Sequence, residues 1–186
     1  MNAADFFFRA AQEFDRRMHA VTADGWHAPT PCTEWDVHDL VNHVVNETRW
    51  IPPLLAGKTI EDVGDSLDGD LLGSDPYASW DDARKEAVAA SQSADPSQLV
   101  HVSFGDIRAE DYLGQVAFDH VIHSWDLARA TGSEDQIDPE LVPVAYDFIT
   151  PQAEFWRSGG SFGPAVDVPA GSDRQAELLA LTGRRP

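Results

Sequence analysis

Five stretches of this sequence repeat their apolar residues at intervals of three and four, and only one short stretch alternates. The chain is therefore constrained to pack helix on helix. The first stretch, residues 3–21, carries Phe6, Phe7, Ala10, Phe14 and Met18 on one face, with Arg and Asp on the other. Gly25, Pro29 and Pro31 end it. Asp36, with Asp39 three residues on, reads as the cap of a second helix over residues 37–55, in which Pro52-Pro53 leaves room for an interruption. Residues 57–76 are rich in Gly and Asp and lack a period, which predicts a long exposed loop. Ser79 and Asp82 resemble a capping box opening a third helix that runs to about residue 91, before Asp95-Pro96. Val100, Val102 and Phe104 alternate ahead of a turn at Gly105-Asp106. A fourth helix is predicted over 110–130, stopped by Gly132 in the left-handed position that ends many helices. A fifth starts with Asp138 as cap and Pro139 in its first turn and ends near Ile149, before Pro151. A Gly/Pro-rich tail follows, closed by a helical turn over 174–181. The expected fold is an all-α four-helix bundle with one long loop and a short C-terminal extension over 160–186, built as a single domain.

Composition excludes whole classes of partner. The 186 residues hold 13 Lys and Arg against 32 Asp and Glu, a net charge of −19, and the cations are scattered. Nucleic acid is bound chiefly by clustered cations that release counterions, so it is not an expected partner, and neither is an anionic membrane surface. No run approaches the roughly 18 apolar residues that span a bilayer, and the N-terminus has no basic segment followed by an apolar run. A single cysteine, Cys32, needs no oxidising compartment. Together these predict a cytoplasmic protein. With 42% hydrophobic residues and six Trp, the chain has ample material for one core.

Bundles place ligand sites between facing helices, so polar groups on central helices matter most. On the second helix, Val37, Leu40, Val41, Val44 and Thr48 form the main stripe, and His43 falls on its flank with Glu47 and Trp50. On the fourth, Leu113, Val116, Ala117 and Leu127 form the stripe, while Asp119, His123 and Asp126 share a neighbouring face. Two side chains four residues apart on a helix can reach one ion. Asp119 and His123 with His43 would supply an N, N, O ligand set that leaves coordination positions open, as catalytic metal sites do. An Asp/His pair at this spacing is also a common surface ion pair, and both readings stand. His120 is a rival ligand, but it lies on the apolar stripe, where a hydrogen-bonded core histidine is the plainer reading. His19 and His38 are expected at the surface. Cys32 precedes a helix N-terminus, which can activate a thiol, yet Glu34, Asp36 and Asp39 around it favour a small buried filler. There is no Gly-rich phosphate loop and no local signature of a hydrolase triad.

The segments TPCTEWDVHDLVNHVVNETRW (30–50), DHVIHSWDLARATG (119–132) and the tail FGPAVDVP with LLALTGRRP (162–169 and 178–186) resemble a family of uncharacterised actinobacterial proteins in the DinB-like superfamily. Its best-understood relative is the metal-binding N-terminal domain of mycothiol-dependent maleylpyruvate isomerase. The resemblance implies a four-helix bundle holding a divalent metal, commonly zinc or nickel, through one His of the second helix and two residues of a later one. On this chain these are His43, Asp119 and His123. Asp119 departs from the Glu of the isomerase and the His of many DinB-like proteins, and the isomerase carries a further C-terminal domain where this chain has a short tail. Maleylpyruvate isomerisation is therefore not carried over. The resemblance implies a metal-dependent transferase or isomerase that uses a low-molecular-weight thiol, mycothiol, as cosubstrate. Its partners would be a small-molecule substrate and that thiol, with a homodimer as a candidate assembly. Asp126 and Glu47 are the candidates to orient the imidazoles, with Arg129 as the ion-pair partner of Asp126. The rival reading is a metal- or ligand-binding or regulatory bundle without turnover.

Overall fold

A computed structural model describes residues 1–186. Four helices make the bundle: α1 (Ala3–Met18), α2 (Val37–Leu55), α4 (Pro76–Ser93) and α5 (Ala109–Thr131). Helix α1 packs along α5 and α4, and α2 packs against the other sides of the same two helices, which closes a square. The all-α expectation holds, because each predicted stripe is buried where the helices face one another. Phe6, Phe7, Phe14 and Met18 come from α1, Leu40, Val41 and Val44 from α2, Leu113, Val116 and Leu127 from α5. Helix α5 is the central element, with nearly every side chain from Tyr112 to Ala128 buried.

Local chemistry sets the ends of these helices. Asp36 accepts the Asp39 amide at 3.0 Å and Asp39 returns the bond to the Asp36 amide, a reciprocal cap that starts α2. Pro52 and Pro53 lie inside α2 without breaking it; the two missing N–H groups fall in the last turn, and packing of Ile51 and Leu54 in the core carries the helix through. Helix α4 starts earlier than its sequence suggests. Asp75, not Ser79, accepts the Ala78 amide, and Pro76 takes the first position, where a missing N–H is harmless. Ser79 is used otherwise, donating to the Leu71 carbonyl and receiving Arg49.

The predicted long loop is less open than expected. It contains the short α3 (Ile60–Val63), and two amides on α2 bind it: Asn42 spans Gly69 and Leu71, and Asn46 donates to Leu67. Strands β1 (Leu99–Val102) and β2 (Gly105–Arg108) form an antiparallel hairpin at the predicted alternation. Gly132, at φ 67°, ends α5 as expected. Asp138 accepts the Glu140 amide and opens the turn that leads into α6 (Leu141–Ile149). Helix α6 ends at Ile149 as expected, and Pro151 sits in a 3-10 turn (Thr150–Gln152) that leads into α7 (Ala153–Ser158). Helix α8 (Arg174–Leu181) then packs on α6, and no helix is long and apolar enough to cross a membrane.

Candidate functional site

Helices α2 and α5 bring His43, Asp119 and His123 together. Their ligand atoms all lie within 4.8 Å of one another. His43 Nε2 stands 3.3 Å from Asp119 Oδ2, and His123 Nε2 stands 3.3 Å from Asp119 Oδ1. The two imidazoles meet edge to face with centroids 5.1 Å apart. Asp119 is half-buried, but its Oδ2 is shielded from solvent and has no well-aligned hydrogen-bond donor. Burial pushes the Asp119 carboxyl up, yet the imidazoles of His123 and His43 outweigh it and hold the group well below the ordinary carboxylate range. Burial likewise works against charge on His123, and Asp119 beside it reverses the outcome, raising the imidazole well above its usual value.

The other residues singled out by sequence divide sharply. His120, one residue from Asp119, points away from the cluster: its Nδ1 donates to the Val116 carbonyl at 2.8 Å, and its Nε2 faces the Thr48 hydroxyl at 2.9 Å. It is a core histidine packed against Phe7, Phe14 and Trp80, and burial pushes it down to about 4. His19 is exposed, and His38 is half-buried beside Asp70. Asp126 does orient an imidazole. It is fully buried, and its Oδ2 accepts the His123 Nδ1–H at 3.0 Å. Glu47 forms no hydrogen bond to either ring; burial first, and the charge of Asp119 second, push its carboxyl up beside the cluster. About two turns before Asp119 on the same face of α5, the buried Tyr112 hydroxyl lacks a partner.

Two sequence expectations are corrected. Arg129 does not pair with Asp126: it lies on the exposed side of α5, bound to Asp135 at 3.0 Å. The partner of Asp126 is Arg184, which arrives from beyond α8 and reaches the carboxylate at 2.8 Å. Cys32 is not a mere filler either. Its thiol lies 3.4 Å from Asp126 Oδ2 and 4.0 Å from His123 Nδ1. The Thr30 hydroxyl folds this loop on itself by hydrogen-bonding the Trp35 carbonyl and the Cys32 amide. The fold thus presents Cys32 on one side of the site and Trp35 on the other, the indole standing 4.8 Å from His43 and 5.8 Å from His123 between centroids.

His43 and Trp35 open onto a cleft of about 430 Å³, walled by Asn42, Asn46 and the loop at Leu67 and Gly69. Glu34, Asp39 and Asp68 make its lining acidic. A larger hollow of about 580 Å³ runs between α1 and the turn at residues 134–139, but its Arg9 and Arg16 are already paired with Asp138 and Glu13. Of the two, only the smaller cleft is lined by a residue of the cluster, His43.

Residues 7–128, which contain Cys32, His43, Asp119, His123 and Asp126, match the family described as mycothiol maleylpyruvate isomerase N-terminal domain. This chain belongs to that family. Two relatives in Mycobacterium tuberculosis, the uncharacterized protein MT0763 of strain CDC 1551 / Oshkosh and the uncharacterized protein Rv0738 of strain ATCC 25618 / H37Rv, are each 32% identical over 187 residues. The alignments cover 95% of this chain and 94% of each relative. No solved structure matches significantly. As a member of the mycothiol maleylpyruvate isomerase N-terminal domain family, the chain carries the cluster and the cleft within the matched region, while Arg184 lies outside it.

Proposed function

We infer that His43, Asp119 and His123 hold a divalent metal, zinc or nickel, and that the site serves a thiol-dependent transfer or isomerisation of a small molecule, with mycothiol as the thiol. The observation that carries this reading is the convergence of three donor groups on one spot, beside an open cleft that His43 lines. Ligand atoms about 2.0–2.1 Å from one ion at a tetrahedral angle stand about 3.3–3.4 Å apart. Here each imidazole stands 3.3 Å from one oxygen of Asp119, His43 from Oδ2 and His123 from Oδ1. A shielded carboxylate oxygen without an aligned donor, Asp119 Oδ2, is also what a cation would satisfy.

A divalent ion there would act as a Lewis acid that favours the thiolate form of a thiol brought to it. The chain's own residues supply the rest. Asp126 keeps the proton of His123 on Nδ1, so that Nε2 faces the cluster as an acceptor. Trp35 forms a flat apolar wall beside the imidazoles. Glu47, raised by burial, stands ready to exchange a proton near Asp119. The acidic lining contributed by Glu34, Asp39 and Asp68 favours the approach of cations.

Protein purified without chelator and supplied with zinc or nickel is expected to carry about one equivalent of metal, and H43A and H123A to lose it. Metal-free wild type under those conditions would overturn the reading. The family relationship supports the thiol. In the cobalt-substituted protein, mycothiol is expected to shift the visible spectrum and to be conjugated to electrophilic acceptors. A cobalt spectrum indifferent to mycothiol would leave a binding bundle without turnover, the reading that the short Asp119 side chain favours.

A further inference from the structure

His123 stands between two sets of groups. Its Nε2 faces Asp119 and His43, and its Nδ1 faces Asp126 and Cys32. The second set, Cys32, His123 and Asp126, also brings a sulfur, a nitrogen and an oxygen within 4.8 Å of one another. The same imidazole could therefore serve either of two clusters. What separates them is a guanidinium. Arg184 grips both carboxylate oxygens of Asp126, Nε to Oδ1 at 3.2 Å and Nη2 to Oδ2 at 2.8 Å, while Nη2 lies 3.7 Å from Cys32 Sγ.

This grip is built into the end of α8. Gly183, at φ 82°, turns the chain; its amide donates to the Ala180 carbonyl at 3.1 Å, and the Arg184 amide donates to the Leu179 carbonyl at 2.9 Å. Arg184 Nη1 donates to the Thr182 carbonyl at 3.1 Å, and its side chain is only 13% exposed. The guanidinium is thus held on three sides.

We propose that Arg184 is a positioning residue for the site: it supplies the cation of the Cys32, His123 and Asp126 cluster and thereby confines metal to the His43 side of His123. This rests on the metal reading given above. Two consequences follow from the geometry. A fork-bound Asp126 accepts the Nδ1–H of His123, which leaves Nε2 as the ring atom turned toward Asp119 and available to a cation in place of a proton. A fixed positive charge 3.7 Å from the thiol repels a divalent ion from that side. Without Arg184, the buried Asp126 loses its guanidinium, and Cys32, His123 and Asp126 become a ligand set.

Cobalt titration of wild type, R184A and R184K tests this, with circular dichroism confirming the helical fold of each. Wild type is expected to bind without thiolate-to-cobalt charge-transfer absorption. R184A should bind at the His43 side about tenfold to a hundredfold more weakly and should acquire the thiolate band, which the added C32S change removes. R184K keeps the charge without the fork, so it should suppress the band and recover only part of the affinity. Wild-type affinity and spectrum in R184A would overturn the proposal while leaving the metal reading intact. If wild type takes up no cobalt, the metal reading fails, and nitrogen NMR of His123 in metal-free protein, recorded at a pH high enough to leave the ring neutral, still decides the positioning role. The Nδ1–H tautomer should dominate in wild type and mix with the other in R184A, and an unchanged tautomer would overturn it.

Discussion

His120 and His123 stand three residues apart on α5, yet their rings meet opposite surroundings. His123 lies between two carboxylates, which raise its imidazole well above the usual value, whereas His120 is enclosed by Phe7, Phe14 and Trp80 and is pushed by burial from 6.5 down to about 4. The sign of the pH effect of His120 follows. Between those values the unfolded chain takes up a proton that the folded chain refuses, so stability present above pH 6.5 is lost as pH falls toward 4. Integrated over the window this amounts to about 3 kcal/mol. In chelator-treated protein, urea unfolding should therefore show a smaller free energy at pH 4.5 than at pH 7, and H120F should flatten the difference. An H120F profile parallel to wild type would assign the acid sensitivity to other groups.

Among the elements, α8 is short but fixes the position of Arg184 just beyond its end. Its C-terminal turn depends on Gly183, where a Cβ would lie 3.0 Å from the Gly163 Cα in a backbone conformation that L side chains rarely adopt. Gly132 at the end of α5 has a similar φ of 67° but nothing within 4 Å of a Cβ. G132A should thus cost only the conformational penalty of about 1 kcal/mol. G183A should cost more, about 2–3 kcal/mol, because the Gly163 backbone must also move. Equal losses in thermal or urea unfolding would show that the segment at Gly163 yields freely.

For the whole molecule, the charge of −19 meets the site in an unexpected way. With 13 cations against 32 carboxylates, an inward-facing Asp119 is expected to rely on metal or hydrogen bonds rather than on a Lys. Asp119 conforms, facing two imidazoles, but the fully buried Asp126 has one of the few Arg side chains to itself. So many carboxylates will also bind divalent ions loosely, and stabilisation must be tied to the site. Zinc or nickel at about a hundred times its dissociation constant should raise stability by about 2.7 kcal/mol. The gain should vanish in H43A, and magnesium at the same concentration should not reproduce it. An equal gain in H43A would assign the effect to the surface.

Helix positions, the caps at Asp36 and Gly132 and the face shared by Asp119, His123 and Asp126 were legible in the sequence, because each depends on neighbours within one or two turns. The pairing of His43 with that face was legible only through motif resemblance, since spacing along the chain does not say which helices meet. Arg184, Cys32 and Trp35 were not assigned to the site. Gly183 announces a turn but not where the turn aims the next side chain, and Arg129, the nearest cation in sequence, lies on the solvent side of α5. Sequence determined which helices form and which faces they bury, because those are local matters of periodicity and capping. Only the tertiary structure decided which cation reaches Asp126, because that depends on where the packing of α8 directs a residue 58 positions along the chain.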